Sequence, residues 1–259
     1  MIEFKNVSFS YRQQKIFDDL CFSLDDFTSA ALLGLNGEGK TTFLKLLLGL
    51  LKPEKGKILI DDIDINRLNE EKRSRIVSYV PQDIDDSLSM PVFDFVAMGR
   101  IARRDFFKGP DEKEEEAVRS LLRQLSCDDH MKKDISALSS GQRRLIYLAR
   151  AIYQDAGILV MDEPVSSLDL LKQHDLLSFL QDHLLSEDKK LIFSIHDPCL
   201  AYGYADTFLF FKDHRLFDIV KKKDTDCKEA LKKDISALYE NKVTVSFTGD
   251  KISMDVLVQ

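Results

Sequence analysis

Hydrophobic and polar positions alternate along residues 2–9 and again along 16–24, as they do in half-buried antiparallel strands. Residues 29–35, SAALLGL, form a continuous apolar run, the pattern of a strand buried on both faces. A glycine-bearing loop follows and opens a helical pattern that runs to about Leu51, where Lys52-Pro53 ends it. Residues 57–65 predict a hairpin, and 76–80, IVSYV, another buried strand. From about 84 to 155 the period becomes helical, with helices predicted over 92–99, 111–126 and 140–153. The acids that open the second of these suit a helix N-terminus. Buried strands return at 158–162, ILVMD, and 190–195, KLIFSI, with a helix between them. Beyond about 207 the pattern predicts short strands, a helix near 226–239 and two closing strands. Alternation of strand and helix predicts a parallel sheet covered by helices.

Composition narrows this picture. At 259 residues and 44% apolar, the chain is long enough to bury a large core. Its net charge of −7 argues against a free-standing nucleic-acid binder, so no nucleic-acid partner is expected. The four cysteines, Cys21, Cys127, Cys199 and Cys227, include no CxxC pair. Neither a zinc site nor a disulfide framework is suggested, and free thiols in a reducing cytosol are expected. The longest apolar stretch, Phe43 to Leu51, contains Lys45 and falls short of the about 20 residues of a membrane span. The N-terminus, MIEFKNVSFSY, alternates like a strand and lacks the form of a signal peptide. The chain therefore reads as cytosolic unless a partner holds it at a membrane. The heptapeptide KKDISAL occurs at 132–138 and at 232–238 without flanking similarity. It reads as local convergence on a helix-edge sequence, not as a duplicated domain.

Two segments carry candidate chemistry. Gly34-Leu35-Asn36-Gly37-Glu38-Gly39-Lys40-Thr41, with Thr42 next, fits GxxxxGK[ST] between a buried strand and a helix. Glycines let the backbone curl so that its N–H groups point at phosphate oxygens, and the helix N-terminus adds a favourable dipole. Lys40 can reach the β- and γ-phosphates and the Thr41 hydroxyl can ligate Mg²⁺. The loop by itself predicts only binding of a nucleoside triphosphate. The apolar run 158–161 ends in Asp162, followed by Glu163 and Pro164. An aspartate at a strand end beside a phosphate loop is placed to hold Mg²⁺ through water, and Glu163 can polarise the attacking water. A solvated acid pair at a turn is the bland alternative, and the apolar run leading into Asp162 argues against it.

Leu138-Ser139-Ser140-Gly141-Gln142 resembles LSGGQ, the signature of the ATP-binding cassette (ABC) family, with Ser140 in place of the first glycine. Other motifs of that family stand in order. Tyr11 matches the adenine-stacking aromatic, Gln82 the Q-loop, Ser167-Leu168-Asp169 the D-loop and His196 the switch histidine. The resemblance covers essentially the whole chain. It implies an α/β fold: a P-loop NTPase (RecA-like) core, about 1–83 and 156–259, with an antiparallel β subdomain and an inserted helical subdomain, about 84–155. It also implies ATP hydrolysis with Mg²⁺ held by Thr41, Gln82 and Asp162, Glu163 as base, and His196 and Gln82 as further catalytic groups. A second copy or similar cassette would pack head to tail. Ser139, Ser140, Gly141, Gln142 and Asp169 would then serve nucleotide across the interface. Ser140 puts a side chain where the family has none. His130, His174, His183 and His214 fall in no motif and are expected to be solvated.

The segment 91–100, PVFDFVAMGR, looks like the corresponding stretch of bacterial importer ATPases for iron–siderophores, haem, cobalamin and related chelates. Residues 194–206 and 231–239 are also similar to that group. This implies integral membrane permease partners, a groove near 83–100 for a permease helix, indirectly a substrate-binding protein, and a place on the cytoplasmic face of the membrane. Zinc and manganese importers share parts of these segments. A soluble ABC ATPase acting in assembly or regulation is the alternative. An inert ATP-binding partner is disfavoured by the presence of Lys40, Asp162, Glu163 and His196.

Overall fold

The computed structural model describes residues 1–85, 87–103, 111–166, 168–186 and 188–257. The chain opens with strands β1 (Ile2–Tyr11), β2 (Gln14–Leu24) and β3 (Ser29–Leu33), helix α1 (Lys40–Leu47), and the hairpin β4 (Lys55–Ile60) and β5 (Ile63–Asp64). Helix α2 (Glu70–Ile76) and strand β6 (Val77–Val80) follow. Three helices come next: α3 (Val92–Ala97), α4 (Glu112–Gln124) and α5 (Ser140–Tyr153). The remainder is β7 (Ile158–Met161), α6 (Leu170–Ser186), β8 (Lys190–Ser194), α7 (Pro198–Tyr204), β9 (Thr207–Lys212), β10 (Arg215–Lys221), α8 (Cys227–Leu238), β11 (Val243–Thr248) and β12 (Lys251–Val256).

The strands form three sheets: an antiparallel sheet in the order β2-β1-β4-β5, a larger one in the order β10-β9-β3-β8-β7-β6, and the hairpin β11-β12. In the larger sheet β9, β3, β8, β7 and β6 are parallel, and β10 closes one edge antiparallel. Its strands are sandwiched. Ala30, Leu32, Ile158, Val160, Ile192, Leu209 and Phe211 face one apolar cluster, shared with β1, β2, β4 and α1. Ala31, Leu33, Leu159, Met161, Leu191, Phe193, Phe208 and Phe210 face the other, shared with the remaining long helices. A strand covered on both faces needs apolar residues at every position, which explains the unbroken runs in the sequence.

Two helices are absent from the sequence-based prediction. In α2 every residue is at least partly exposed, so it has no apolar stripe. It is held by ends: Asn69 caps it by accepting from Lys72 N at 2.9 Å, Glu70 and Glu71 lie in the first turn, and Arg73 and Arg75 in the last. Helix α7 starts with Asp197 accepting from Cys199 N and Leu200 N, with Pro198 at the first helical position. Its seven residues are too few to show a period.

The segment 92–100 is committed largely to internal packing. Val92, Phe95, Val96 and Ala97 are buried, and the Phe95 ring lies 4.6 Å from that of Tyr147 on α5. A Cβ on Gly99 would fall 2.5 Å from the Arg150 carbonyl oxygen, so only glycine allows this close approach to α5. Arg100 donates to the Tyr153 carbonyl at 2.8 Å and lies over the Tyr153 ring. Asp94 and Ile101 are exposed, and Phe93 is partly buried against the core.

The two copies of KKDISAL adopt different structures. At 132–138 Asp134 accepts from Ser136 N at 2.8 Å and caps a short 3₁₀ turn, Ile135–Ala137. At 232–238 the same residues lie inside α8, and Asp234 is 1% exposed. Burial, together with the Asp218 carboxylate on β10, raises Asp234 to about 6. A carboxyl raised in the folded state stabilises fully below its ordinary value of 3.8, and that contribution is lost as pH rises through about 6. Asp234→Asn is therefore expected to raise the melting temperature at pH 7.5 by about 2–4 °C, the shift of about 1 kcal/mol in a chain this size. At pH 4 it should leave the melting temperature nearly unchanged. Equal shifts at both pH values would show that Asp234 does not titrate as described.

Candidate active site

In a buried parallel sheet, polar side chains gather where strands end, and the site lies at the carboxyl ends of β3, β6, β7 and β8. The loop after β3 wraps the start of α1. Gly39 has φ 93°, a left-handed conformation that suits glycine, and its carbonyl accepts the first helical hydrogen bond from Phe43 N at 2.8 Å. Lys40 is 6% exposed and donates to the Gly34 and Leu35 carbonyls at 2.7 and 2.9 Å. Burial lowers the Lys40 pKa, while Glu163, Asp162 and Glu38 oppose that shift.

A cavity of about 340 Å³ opens here, lined by Asn36 to Thr42, Ile16, Gln82, Glu163 and His196. The Glu163 carboxylate sits between two partners: Gln82 Nε2 donates to Oε2 at 2.8 Å, and His196 Nε2 meets Oε1 at 2.6 Å. The structure thus brings together Gln82, Glu163, His196 and the lysine-bearing loop from four separate strand ends. Asp162 lies behind them, 1% exposed. Ser194 donates to its Oδ1 at 2.6 Å, and the same hydroxyl accepts from Glu163 N at 2.8 Å. Asp162 Oδ2 is buried with no hydrogen-bond partner. An orphaned carboxylate oxygen, on a residue close enough to act electrostatically on Lys40 of the loop, is a hard donor of the kind a divalent cation takes, so the residues fit Mg²⁺.

Other expected residues stand outside this cavity. Tyr11 is 43% exposed and packs edge-on against Phe9 at 4.9 Å; Ile16, on the facing strand, lines the cavity instead. Glu38, although it lines the cavity, has its carboxylate accepting from His214 N at 3.1 Å, on the β9–β10 turn. Ser139 to Gln142 form the exposed first turn of α5, with Ser139 and Gln142 closing a reciprocal capping box. Asp169 caps α6 by accepting from Lys172 N at 3.1 Å, while Ser167 lies outside the described residues. A groove of about 310 Å³ is lined by residues of 48–81 and by Tyr147, Arg150, Ala151 and Gln154 on α5, not by residues 83–100.

Several functional-looking residues escaped the sequence. Arg144 is 7% exposed and donates to the Glu163 carbonyl and, at 2.9 Å, to the Gln82 carbonyl. Burial lowers its pKa, while Glu163, Asp162 and Asp83 oppose that shift. The available signal was an arginine in register with Tyr147, Leu148 and Ala151 on the apolar stripe of α5. Ser194 and Tyr239 lie in the segments 194–206 and 231–239 that resemble the importer ATPases, without a role of their own there; Tyr239, beyond α8, donates to the His196 carbonyl at 3.2 Å. Of the histidines expected in solvent, His174 is exposed while its ring meets the Tyr204 hydroxyl at 2.8 Å; His130, His183 and His214 are half-buried, the first contacting Gln142 at 2.8 Å and the second stacking on Phe179.

A mixed sheet with a phosphate loop at its carboxyl edge defines a P-loop NTPase of the α/β class. Residues 17–166, more than half of the chain, match the ABC transporter family model. The chain is 35% identical over 218 residues to the probable iron chelatin transport ATP-binding protein of Helicobacter pylori, covering 84% of this chain and 86% of that one. It is 31% identical to the petrobactin import ATP-binding protein of Bacillus anthracis, over 83% and 79% of the two chains. A solved inward-facing structure assigned to the metal-chelate type of ABC transporter superposes with TM-score 0.77 at 28% identity, covering 98% and 95%. The chain belongs to the ABC transporter family as an ATP-binding subunit, and its enzymatic class is ATPase.

Replacing Ser194 by alanine would leave Asp162 Oδ1 and the Glu163 N–H without their shared partner. Ser194→Ala is expected to cost about 1–3 kcal/mol in a denaturant titration, the penalty of unpaired buried polar groups. An unchanged midpoint would show that the hydroxyl does not bridge the two residues.

Proposed function

We propose that this chain couples ATP hydrolysis, at a head-to-tail interface with a second cassette, to import of an iron–siderophore or other metal chelate through a membrane permease. The observation that carries the reading is the Glu163 carboxylate, held between Gln82 and His196 at the rim of the lysine-bearing loop. A carboxylate so placed accepts a proton from water, and the loop presents N–H groups and the Lys40 ammonium to the phosphates. The His196 imidazole holds the γ-phosphate end of the nucleotide. Thr41, Asp162 and Gln82 would hold Mg²⁺, which neutralises phosphate charge when bound.

A second cassette would complete the cavity from outside the chain. Ser139, Ser140, Gly141 and Gln142 do not line the chain's own cavity, and Ser139 and Ser140 are exposed, which supports their serving a neighbour's nucleotide. Asp169 belongs to the same interface, and Tyr11 stacks on adenine from the rim. Residues 84–155 form the helical subdomain, and the groove beside α2 and α5, with Leu50 56% exposed, suits a permease helix. The metal-chelate assignment rests on the named relatives, with the chain at the cytoplasmic face of the membrane and a substrate-binding protein upstream of the permease. Among the described residues no helix is long and apolar enough to cross a membrane.

Glu163→Gln should keep ATP binding, slow steady-state hydrolysis by about 10²–10⁴-fold, and accumulate an ATP-bound dimer in size-exclusion chromatography. Hydrolysis at the wild-type rate would remove Glu163 from the role of base. Lys40→Ala should weaken ATP binding by about 10–100-fold in calorimetry, the worth of charge-assisted bonds to phosphate. For transport, the chain purified from native membranes should bring down its permease, and Leu50→Arg should abolish that capture while preserving ATP binding. Capture unaffected by Leu50→Arg would place the permease elsewhere.

A further inference from the structure

We propose that Arg144 is a positioning residue that locks the first turn of α5 to the hydrolytic loop. The turn offered to a neighbour's nucleotide and the carboxylate acting on the chain's own nucleotide then move as one unit. This rests on the function proposed above.

Arg144 lies two residues beyond Gln142 and points inward. Its two terminal nitrogens donate to the backbone carbonyls of Gln82 and Glu163, which follow different strands, β6 and β7. The guanidinium therefore fixes backbone and leaves the Glu163 carboxylate to Gln82 Nε2 and His196. Glu163 has φ 48°, a left-handed conformation that a non-glycine residue holds only when its surroundings determine it. The N–H of Glu163 goes to Ser194, and its carbonyl takes Arg144 and, at 3.2 Å, Ser166 Oγ. Arg144 is the only one of these anchors that comes from α5.

The planar fork of arginine matches this task. It spans two acceptors at once, and a lysine ammonium in the same place is a single point. A purely structural role is separable, because α5 has a second attachment. At its far end Gln154 Nε2 donates to the Ser74 and Val77 carbonyls at 2.9 and 2.8 Å. Without Arg144 the helix stays on the sheet, and what is lost is the register between its first turn and Glu163.

The test uses the full chain with Arg144→Lys and Arg144→Gln, and Ile146→Val, a fully buried position on α5 that lines neither cavity, as the structural control. Arg144→Lys should keep the KM for ATP within about 2-fold and lower kcat by about 10–100-fold, the scale of a small misplacement of a catalytic group. Ile146→Val should lower the melting temperature and keep kcat within about 2-fold. In the Glu163→Gln background, either Arg144 variant should raise the ATP concentration for half-maximal dimerisation by about 5-fold or more. Wild-type kcat in both Arg144 variants, or unchanged dimerisation, would overturn the inference while leaving the proposed function intact. So would a loss of kcat that Ile146→Val reproduces at equal loss of stability. A wild-type chain that neither hydrolyses ATP nor, as Glu163→Gln, dimerises with it would overturn the proposed function and this inference together.

Discussion

The constraint behind the whole molecule is a parallel sheet covered on both faces. Nothing polar is tolerated along β3, β7 or β8 except at their ends, because an unpaired polar group in that sandwich would cost several kcal/mol. Chemistry is therefore driven to one edge. The lysine-bearing loop, Gln82, the Asp162–Glu163 pair and His196 all follow the last residue of a strand. Their convergence is a consequence of parallel register: strands that run the same way deliver their ends to the same place.

At that edge charges are handled by pairing. The Lys40 ammonium is satisfied by two carbonyls of its own loop, which holds it ready without a fixed anionic partner. Asp162 and Glu163 are joined through one serine hydroxyl that donates to the first and accepts from the second. Glu163 keeps a left-handed backbone because its N–H and carbonyl are both engaged, and its carboxylate is free to point into the cavity. The orphaned Asp162 oxygen is left unbalanced in this arrangement, buried without a hydrogen-bond partner.

The helices between β6 and β7 are attached to this edge through α5. That helix is tied to the sheet at both ends, by Arg144 and by Gln154, and α3 is packed onto it by Phe95, Gly99 and Arg100. The segment 92–100, whose likeness to importer ATPases stood out in the sequence, owes much of its residue pattern to this packing. Asp94 within it and Ile101 just beyond it are exposed.

Much of this was legible in the sequence. Continuous apolar runs declared the buried strands, and the phosphate loop, Asp162–Glu163, Gln82 and His196 were named before their geometry was known. Helices α2 and α7 lie outside that reading, α2 because it has no apolar stripe and α7 because seven residues are too few to show a period. Other features depend on which distant backbone lies beside a side chain, and no local pattern encodes that. Arg144 and Ser194 are of this kind, as is the histidine at 130 that meets Gln142. The clearest case is KKDISAL. Its isoleucine and leucine are buried in both copies, as hydrophobicity dictates. Its aspartate caps a 3₁₀ turn in one and is enclosed in a helix against Asp218 in the other. Local sequence determined which residues avoid water. Tertiary structure decided the backbone they took, because after 134 the 3₁₀ turn must end before Ser139 can cap α5, while at 234 a helix begun at Cys227 is already running.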